Sequence, residues 1–130
     1  MYDVLIIGAG VIGGSIFREL TKYNLKVSVL EKENDVSMGT TKANSAIIHA
    51  GFDPDPESVV AKYNVRGNEM YEGLCKELDV PFKRNGAMVV AFAEENMATL
   101  ETLYKKGVKM GVKGLRLLNK EETLKKEPNL

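Results

Sequence analysis

Four consecutive apolar residues, Val4-Leu5-Ile6-Ile7, run directly into Gly8-Ala9-Gly10-Val11-Ile12-Gly13. The apolar run predicts a buried strand, and Ser15 to Tyr23 predicts a helix with Ile16, Phe17 and Leu20 facing inward. Strand, tight turn and helix in that order open a dinucleotide-binding βαβ unit. A second strand, Lys26-Val27-Ser28-Val29-Leu30, then delivers Glu31 about 20 residues beyond the glycines, where an acidic side chain reaches an adenosine ribose.

The chemistry explains the residue types. Gly8 permits the sharp exit from the strand, Gly10 lets backbone approach a pyrophosphate, and Gly13 allows the helix to lie close to the strand. Val11 and Ile12 complete the turn, and the helix N-terminus beside them offers unpaired N–H groups and a positive dipole end in a loop that has no lysine. Glu31 accepts hydrogen bonds from ribose hydroxyls, each worth roughly 1.5–3 kcal/mol, and repels a 2′-phosphate. The pattern therefore favours FAD or NAD over NADP. Lys32, also at the cofactor edge, reads as a solvated strand-end charge in preference to a 2′-phosphate ligand.

Lysine plus arginine balance aspartate plus glutamate at 18 each in a chain of 130 residues, which removes the electrostatic case for nucleic acid and leaves a small molecule as the expected partner. The single cysteine, Cys75, cannot form an internal disulfide and reads as a packed, unreactive thiol. No metal-ligand set is evident. The N-terminus leads straight into a strand and no apolar run approaches membrane-spanning length, so a cytoplasmic location is expected.

Residues 32–42 read as loop, and Ala43 to Gly51 is a run of mostly small residues beside which a flat ligand could lie. In Asp53-Pro54-Asp55-Pro56, Asp55 is the expected N-cap and Pro56 the first residue of a long helix. Val60, Tyr63, Gly67, Met70, Leu74 and Leu78 mark its expected core stripe before Pro81. Asn85-Gly86 predicts a hairpin turn within Phe82 to Phe92, with Ala87 to Phe92 a strand. An amphipathic helix from Met97 to Val108 stopped by Gly111, a short strand from Leu115 to Leu118, and a capping box at Asn119 to Glu122 opening a last helix complete the series.

The expected fold class is α/β, a Rossmann-like βαβ corner that is incomplete, followed by the beginning of an α+β substrate domain. Two parallel strands cannot cover both of their own faces, so the chain reads as a fragment with exposed apolar sheet.

Asp3 to Gly14, Leu30-Glu31-Lys32, Ala43-Asn44-Ser45-Ala46-Ile47-Ile48-His49-Ala50-Gly51 and Lys126 to Leu130 together resemble the N-terminal part of the FAD-dependent oxidoreductases of the D-amino-acid oxidase and glycerol-3-phosphate dehydrogenase superfamily. The Asn-Ser-x-x-Ile-His-Ala-Gly stretch is most similar to the branch holding anaerobic-type glycerol-3-phosphate dehydrogenases and L-2-hydroxyglutarate oxidases. The resemblance implies noncovalent FAD lined by Thr40, Thr41, Asn44, Ser45 and His49. His49 is the one candidate for a catalytic role, its alternative being a loop histidine satisfied by a backbone carbonyl. It further implies residues 1–80 in an FAD-binding domain and 81–130 in the first segment of a substrate domain. The implied reaction passes hydride from an alcohol carbon to the flavin, with glycerol 3-phosphate the first substrate and L-2-hydroxyglutarate or an amino acid the alternatives. The electron acceptor stays open, as does a peripheral membrane or partner-subunit association. A non-catalytic NAD-binding regulatory module is the competing reading.

Overall fold

The computed structural model describes residues 1–130 as two units, Met1–Ile47 and Ile48–Leu130. In the first unit, β1 (Val4–Ile7), α1 (Val11–Leu20) and β2 (Val27–Leu30) form a βαβ corner whose strands run parallel, Val4 opposite Val27 and Ile7 opposite Leu30. Asp3 fixes this register from outside the ladder: its carboxylate accepts the Lys26 N–H at 2.8 Å while its own N–H donates to the Lys26 carbonyl at 2.9 Å.

β1 is apolar throughout, yet its burial alternates. Val4 and Ile6 are half-buried, and Ile6 lies toward α1, where its Cγ2 would be 3.4 Å from a Cβ at Gly13. Leu5 and Ile7 are exposed, Ile7 to 85%. That is the open sheet face anticipated for two strands with nothing stacked on their second side. Ile16 and Phe17 are also exposed, contrary to their expected inward placement, because a sheet of two four-residue strands receives only the strip of α1 around Gly13 and Leu20. The helix itself starts four residues before the expected Ser15, since Gly10 adopts the extended N-cap conformation and Val11 is already helical. It tightens into a turn at the other end, where Lys22 and Tyr23 donate to carbonyls three residues back.

The second unit holds α2 (Val59–Glu77), α3 (Met97–Lys109) and α4 (Lys120–Lys126). Asp55 is not the N-cap of α2. Ser58 takes that position, its hydroxyl accepting the Ala61 N–H at 3.1 Å, while Asp55 accepts the Glu57 N–H and closes a turn just before it. The covered stripe of α2 agrees with the expected one only in part: Ala61 and Cys75 are buried, and Asn64, Val65, Gly67, Asn68 and Leu74 are half-buried, so Gly67 and Leu74 keep their expected place whereas Val60, Tyr63, Met70 and Leu78 are exposed. The cause is what lies against the helix. The loop at Gly51 crosses α2 so closely that a Cβ there would stand 2.8 Å from Val65 Cγ2, and Gly51 has a φ of +109°, so only glycine fits.

Gly107 of α3 is buried in the same manner, against Leu115 and Phe52. α3 runs as expected into Met110 and then Gly111, which has the left-handed φ of +79° that ends helices. The capping box of α4 is present in full, Asn119 and Glu122 each accepting the other's N–H. The expected hairpin in Phe82 to Phe92 and the strands Ala87–Phe92 and Leu115–Leu118 are not formed. Gly86 does turn with a φ of +82°, but neither segment has a neighbouring strand to complete a ladder. No helix is long and apolar enough to cross a membrane.

Candidate functional site

The glycine turn between β1 and α1 is built around one left-handed backbone position and two close contacts. Gly8 has a φ of +97°, and a Cβ on Gly13 would lie 1.9 Å from the Gly8 carbonyl oxygen. A Cβ on Gly10 would lie 3.0 Å from Thr41 Oγ1. Helix and strand therefore meet backbone to backbone, and the first turn of α1 is left bare. The N–H groups of Gly10, Ile12 and Gly13 have no protein acceptor, which is the donor set an anion requires.

Glu31, at the end of β2, leans over this turn. Its Oε2 accepts the Ala9 N–H at 2.7 Å, and its Oε1 accepts the N–H groups of Lys32 at 2.8 Å and Glu33 at 3.1 Å. The Ala9 bond above all, then the Glu33 bond, holds the Glu31 carboxyl below its usual range, so it is ionised at neutral pH. An ionised carboxylate accepts about four hydrogen bonds, and three are taken. The unused acceptor site on Oε2 remains for a hydroxyl of a ligand seated at the turn. Lys32 is exposed and pairs only with Glu33, at 3.4 Å, as expected of a solvated strand-end charge.

Residues 35–46 fold back onto the same turn. Ser37 donates its N–H to the Ala9 carbonyl at 3.1 Å, and Thr40–Lys42 form one 3-10 turn. From that turn the Thr41 hydroxyl accepts the Val11 N–H at 3.0 Å, capping α1 across 30 residues of sequence in place of the side chain that Gly10 lacks. Asn44 fastens the next corner, donating to the Thr41 carbonyl and accepting the Ala46 N–H, both at 2.8 Å; Ala46 there takes a φ of +55° that few non-glycine residues adopt. The hydroxyls of Thr40 and Ser45 are exposed and have no protein partner.

Gly8, Gly10, Val11, Ile12, Gly13, Glu31, Thr41 and Asn44 are thus brought into one assembly in the first unit. A Thr41→Val substitution should destabilise that unit by about 1 kcal/mol, the usual cost of a lost N-cap, with Thr41→Ser close to the parent. Denaturant titration followed by circular dichroism reads the difference, and equal stability of the two variants would remove the capping role.

His49 belongs to the second unit and is 73% exposed. Its ring is not satisfied by a backbone carbonyl: Nδ1 stands 3.8 Å from Asp53 Oδ2, leaving Nε2 open. The His49 carbonyl accepts the Asn68 side-chain N–H at 2.8 Å. Sequence reading gave no sign of Asp53 or Asn68 as neighbours of His49, nor of Asp3 as the clamp on β2. The Thr41 cap was equally hidden, because its partner is distant in sequence.

A family described as DAO, FAD dependent oxidoreductase, matches residues 3–130 of this chain. The chain is 57% identical over 130 residues to a glycerol 3-phosphate dehydrogenase of Caloramator mitchellensis, covering 100% of this chain and 27% of that protein. It is 38% identical over 129 residues to the mitochondrial L-2-hydroxyglutarate dehydrogenase of Homo sapiens, covering 98% and 28%. Among solved structures it superposes on a dithionite-reduced L-alpha-glycerophosphate oxidase of Mycoplasma pneumoniae with FAD bound, with a TM-score of 0.78 and 39% identity over 98% of this chain and 34% of that one. The chain spans about a third or less of the length of these relatives.

Proposed function

Since this chain belongs to the DAO family of FAD-dependent oxidoreductases, we propose that its first unit holds the adenosine and pyrophosphate of FAD for the oxidation of a small hydroxy substrate, glycerol 3-phosphate before L-2-hydroxyglutarate. The observation that carries this reading is the meeting, at one turn, of an ionised Glu31 with three N–H groups that lack acceptors. An FAD half of this kind needs an anion-binding helix start next to a carboxylate for the ribose, and both stand on either side of Ala9. When bound, flavin supplies the acceptor for the electron pair leaving an alcohol carbon. Everything else falls to the chain. Gly10, Ile12 and Gly13 N–H groups neutralise the pyrophosphate, Glu31 Oε2 orients the ribose, and the Thr41 O–H, its oxygen already accepting from Val11, is left to donate to a phosphate oxygen.

Thr40, Asn44 and Ser45 follow Thr41 along the proposed cofactor wall, with Lys32 at its edge. For proton handling at the alcohol we put forward His49 Nε2, the ring nitrogen that does not face Asp53. Residues 1–80 are assigned to the FAD-binding domain and 81–130 to the first part of a substrate domain. Glycerol 3-phosphate takes precedence because the relative of that name shares 57% identity against 38% for the human L-2-hydroxyglutarate dehydrogenase.

Titration of the chain with FAD, followed by quenching of flavin fluorescence, should show saturable binding that NAD does not displace. Denaturation should then release all flavin, leaving a polypeptide of unmodified mass. Binding of NAD with no binding of FAD would replace this reading with that of a nicotinamide-binding module.

A further inference from the structure

Asn68 lies midway along α2, on its half-buried stripe, and carries two hydrogen bonds of opposite sense. Its Nδ2 donates to the His49 carbonyl at 2.8 Å, and its Oδ1 accepts from Arg84 Nη1 at 2.9 Å. A carbonyl on one side and a guanidinium on the other permit only one orientation of the carboxamide. Arg84 is itself held from three directions: Nη2 donates to the Asn68 backbone carbonyl at 3.3 Å, Nε stands 3.5 Å from Glu72 Oε2, and the guanidinium lies over the Phe82 ring at 5.4 Å. Segments at residues 49, 68 and 84 are therefore joined through a single side chain. Two residues further along the loop from His49, Gly51 is pressed against Val65 of the same helix. The loop is thus fixed by a polar bond at His49 and by packing at Gly51.

We propose that Asn68, oriented by Arg84, is the positioning residue for the loop that carries His49. The inference rests on the reading of His49 given under Proposed function for its purpose, though the restraint on the loop stands apart from that reading. A freely moving loop would spread the imidazole over many placements, whereas a proton-transferring group needs one. Arg84 contributes by keeping the Asn68 amide from turning its oxygen toward the His49 carbonyl, an arrangement in which two acceptors would face each other.

His49 is the sole histidine of the chain, so its ring protons give unambiguous NMR signals. Two readouts on the full chain separate the restraint from its purpose. Without ligand, the backbone order parameters of Ile48 and His49 should be about 0.85 in the parent and fall below about 0.6 in Asn68→Leu, with α3 unchanged as an internal control. Asn68→Asp keeps the acceptor for Arg84 and loses the donor to His49, so it should match Asn68→Leu; it also serves if the leucine variant does not fold. Arg84→Gln should show a smaller loss. Unchanged order in Asn68→Asp overturns the proposal. With FAD added, the His49 Cε1–H resonance should shift in the parent, and that shift should shrink at least threefold in Asn68→Asp at equal FAD occupancy. An equal shift in both proteins overturns the positioning role. No shift in the parent, with loop order still lost in the variant, would overturn the placement of His49 at flavin and leave the restraint standing.

Discussion

Gly13→Ala should abolish measurable FAD binding and loosen the first unit as a whole. The added methyl carbon would stand 1.9 Å from the Gly8 carbonyl oxygen, a backbone atom with no rotamer by which to retreat. Relief requires α1 and the end of β1 to separate by more than ~1 Å, since non-bonded heavy atoms settle at roughly 3.5–4.0 Å. Overpacking in a tight site costs about 1–3 kcal/mol, and here the sheet that absorbs it has only two strands. The separation would also spread the N–H groups of Gly10, Ile12 and Gly13 away from the position of Glu31. FAD affinity should fall at least about a hundredfold, equivalent to roughly 2.8 kcal/mol. Gly14→Ala is the matched control, because a Cβ at Gly14 meets nothing within 4 Å and alanine favours the helix. Fluorescence titration and circular dichroism on both variants decide the matter, and normal FAD binding by Gly13→Ala would show that the turn is not the pyrophosphate site.

Glu31→Gln should have the second largest effect, on affinity and on acid stability together. A glutamine amide has one acceptor oxygen where the carboxylate has two, so it cannot take the N–H groups of Ala9, Lys32 and Glu33 at once. The loss of a charge-assisted bond to the ribose should lower FAD affinity about ten- to hundredfold. The acid arm follows from the lowered carboxyl. Because Glu31 is a stronger acid folded than unfolded, its contribution to stability is complete above the ordinary carboxylate range near 4.5 and disappears as pH falls through its folded value. In the parent, unfolding in denaturant should therefore become easier on descending from pH 5 in a step that Glu31→Gln lacks. Parallel pH profiles for the two proteins would show that Glu31 makes no such bonds in solution.

The elements that could be read from sequence are those whose causes are local. β1, the glycine turn and β2 follow from an apolar run, three glycines and an acid in order. The ends of α3 and the box that opens α4 follow from residues within one helical turn of each other. Where a distant partner decides, the pattern misled. Ala87 to Phe92 has the composition of a strand, but a strand exists only in a ladder and this chain has no third one to offer. The expected stripe of α2 holds only at Gly67 and Leu74, because the covered side also carries the polar Asn64 and Asn68, of which Asn68 donates to the carbonyl of His49 in the loop crossing there. At the site, glycines and Glu31 were legible through their spacing, whereas the capping role of Thr41 and the hold of Asn68 on His49 depend on folding that brings residues together across 30 and 19 positions. Asp55 was the expected N-cap of α2, but Ser58, an equally good capping residue three positions on, makes the bond to Ala61 and takes that place.

Cys75, the only cysteine, is 7% exposed on the covered face of α2. A thiol so enclosed reacts with an alkylating reagent only when its surroundings open, which makes the sulfur a stopwatch for the Ile48–Leu130 unit. Mass spectrometry of timed alkylation would clock that unit while flavin fluorescence follows the Met1–Ile47 unit in the same tube. The two halves of the chain can in this way be assigned separate stabilities without cutting it or adding a label.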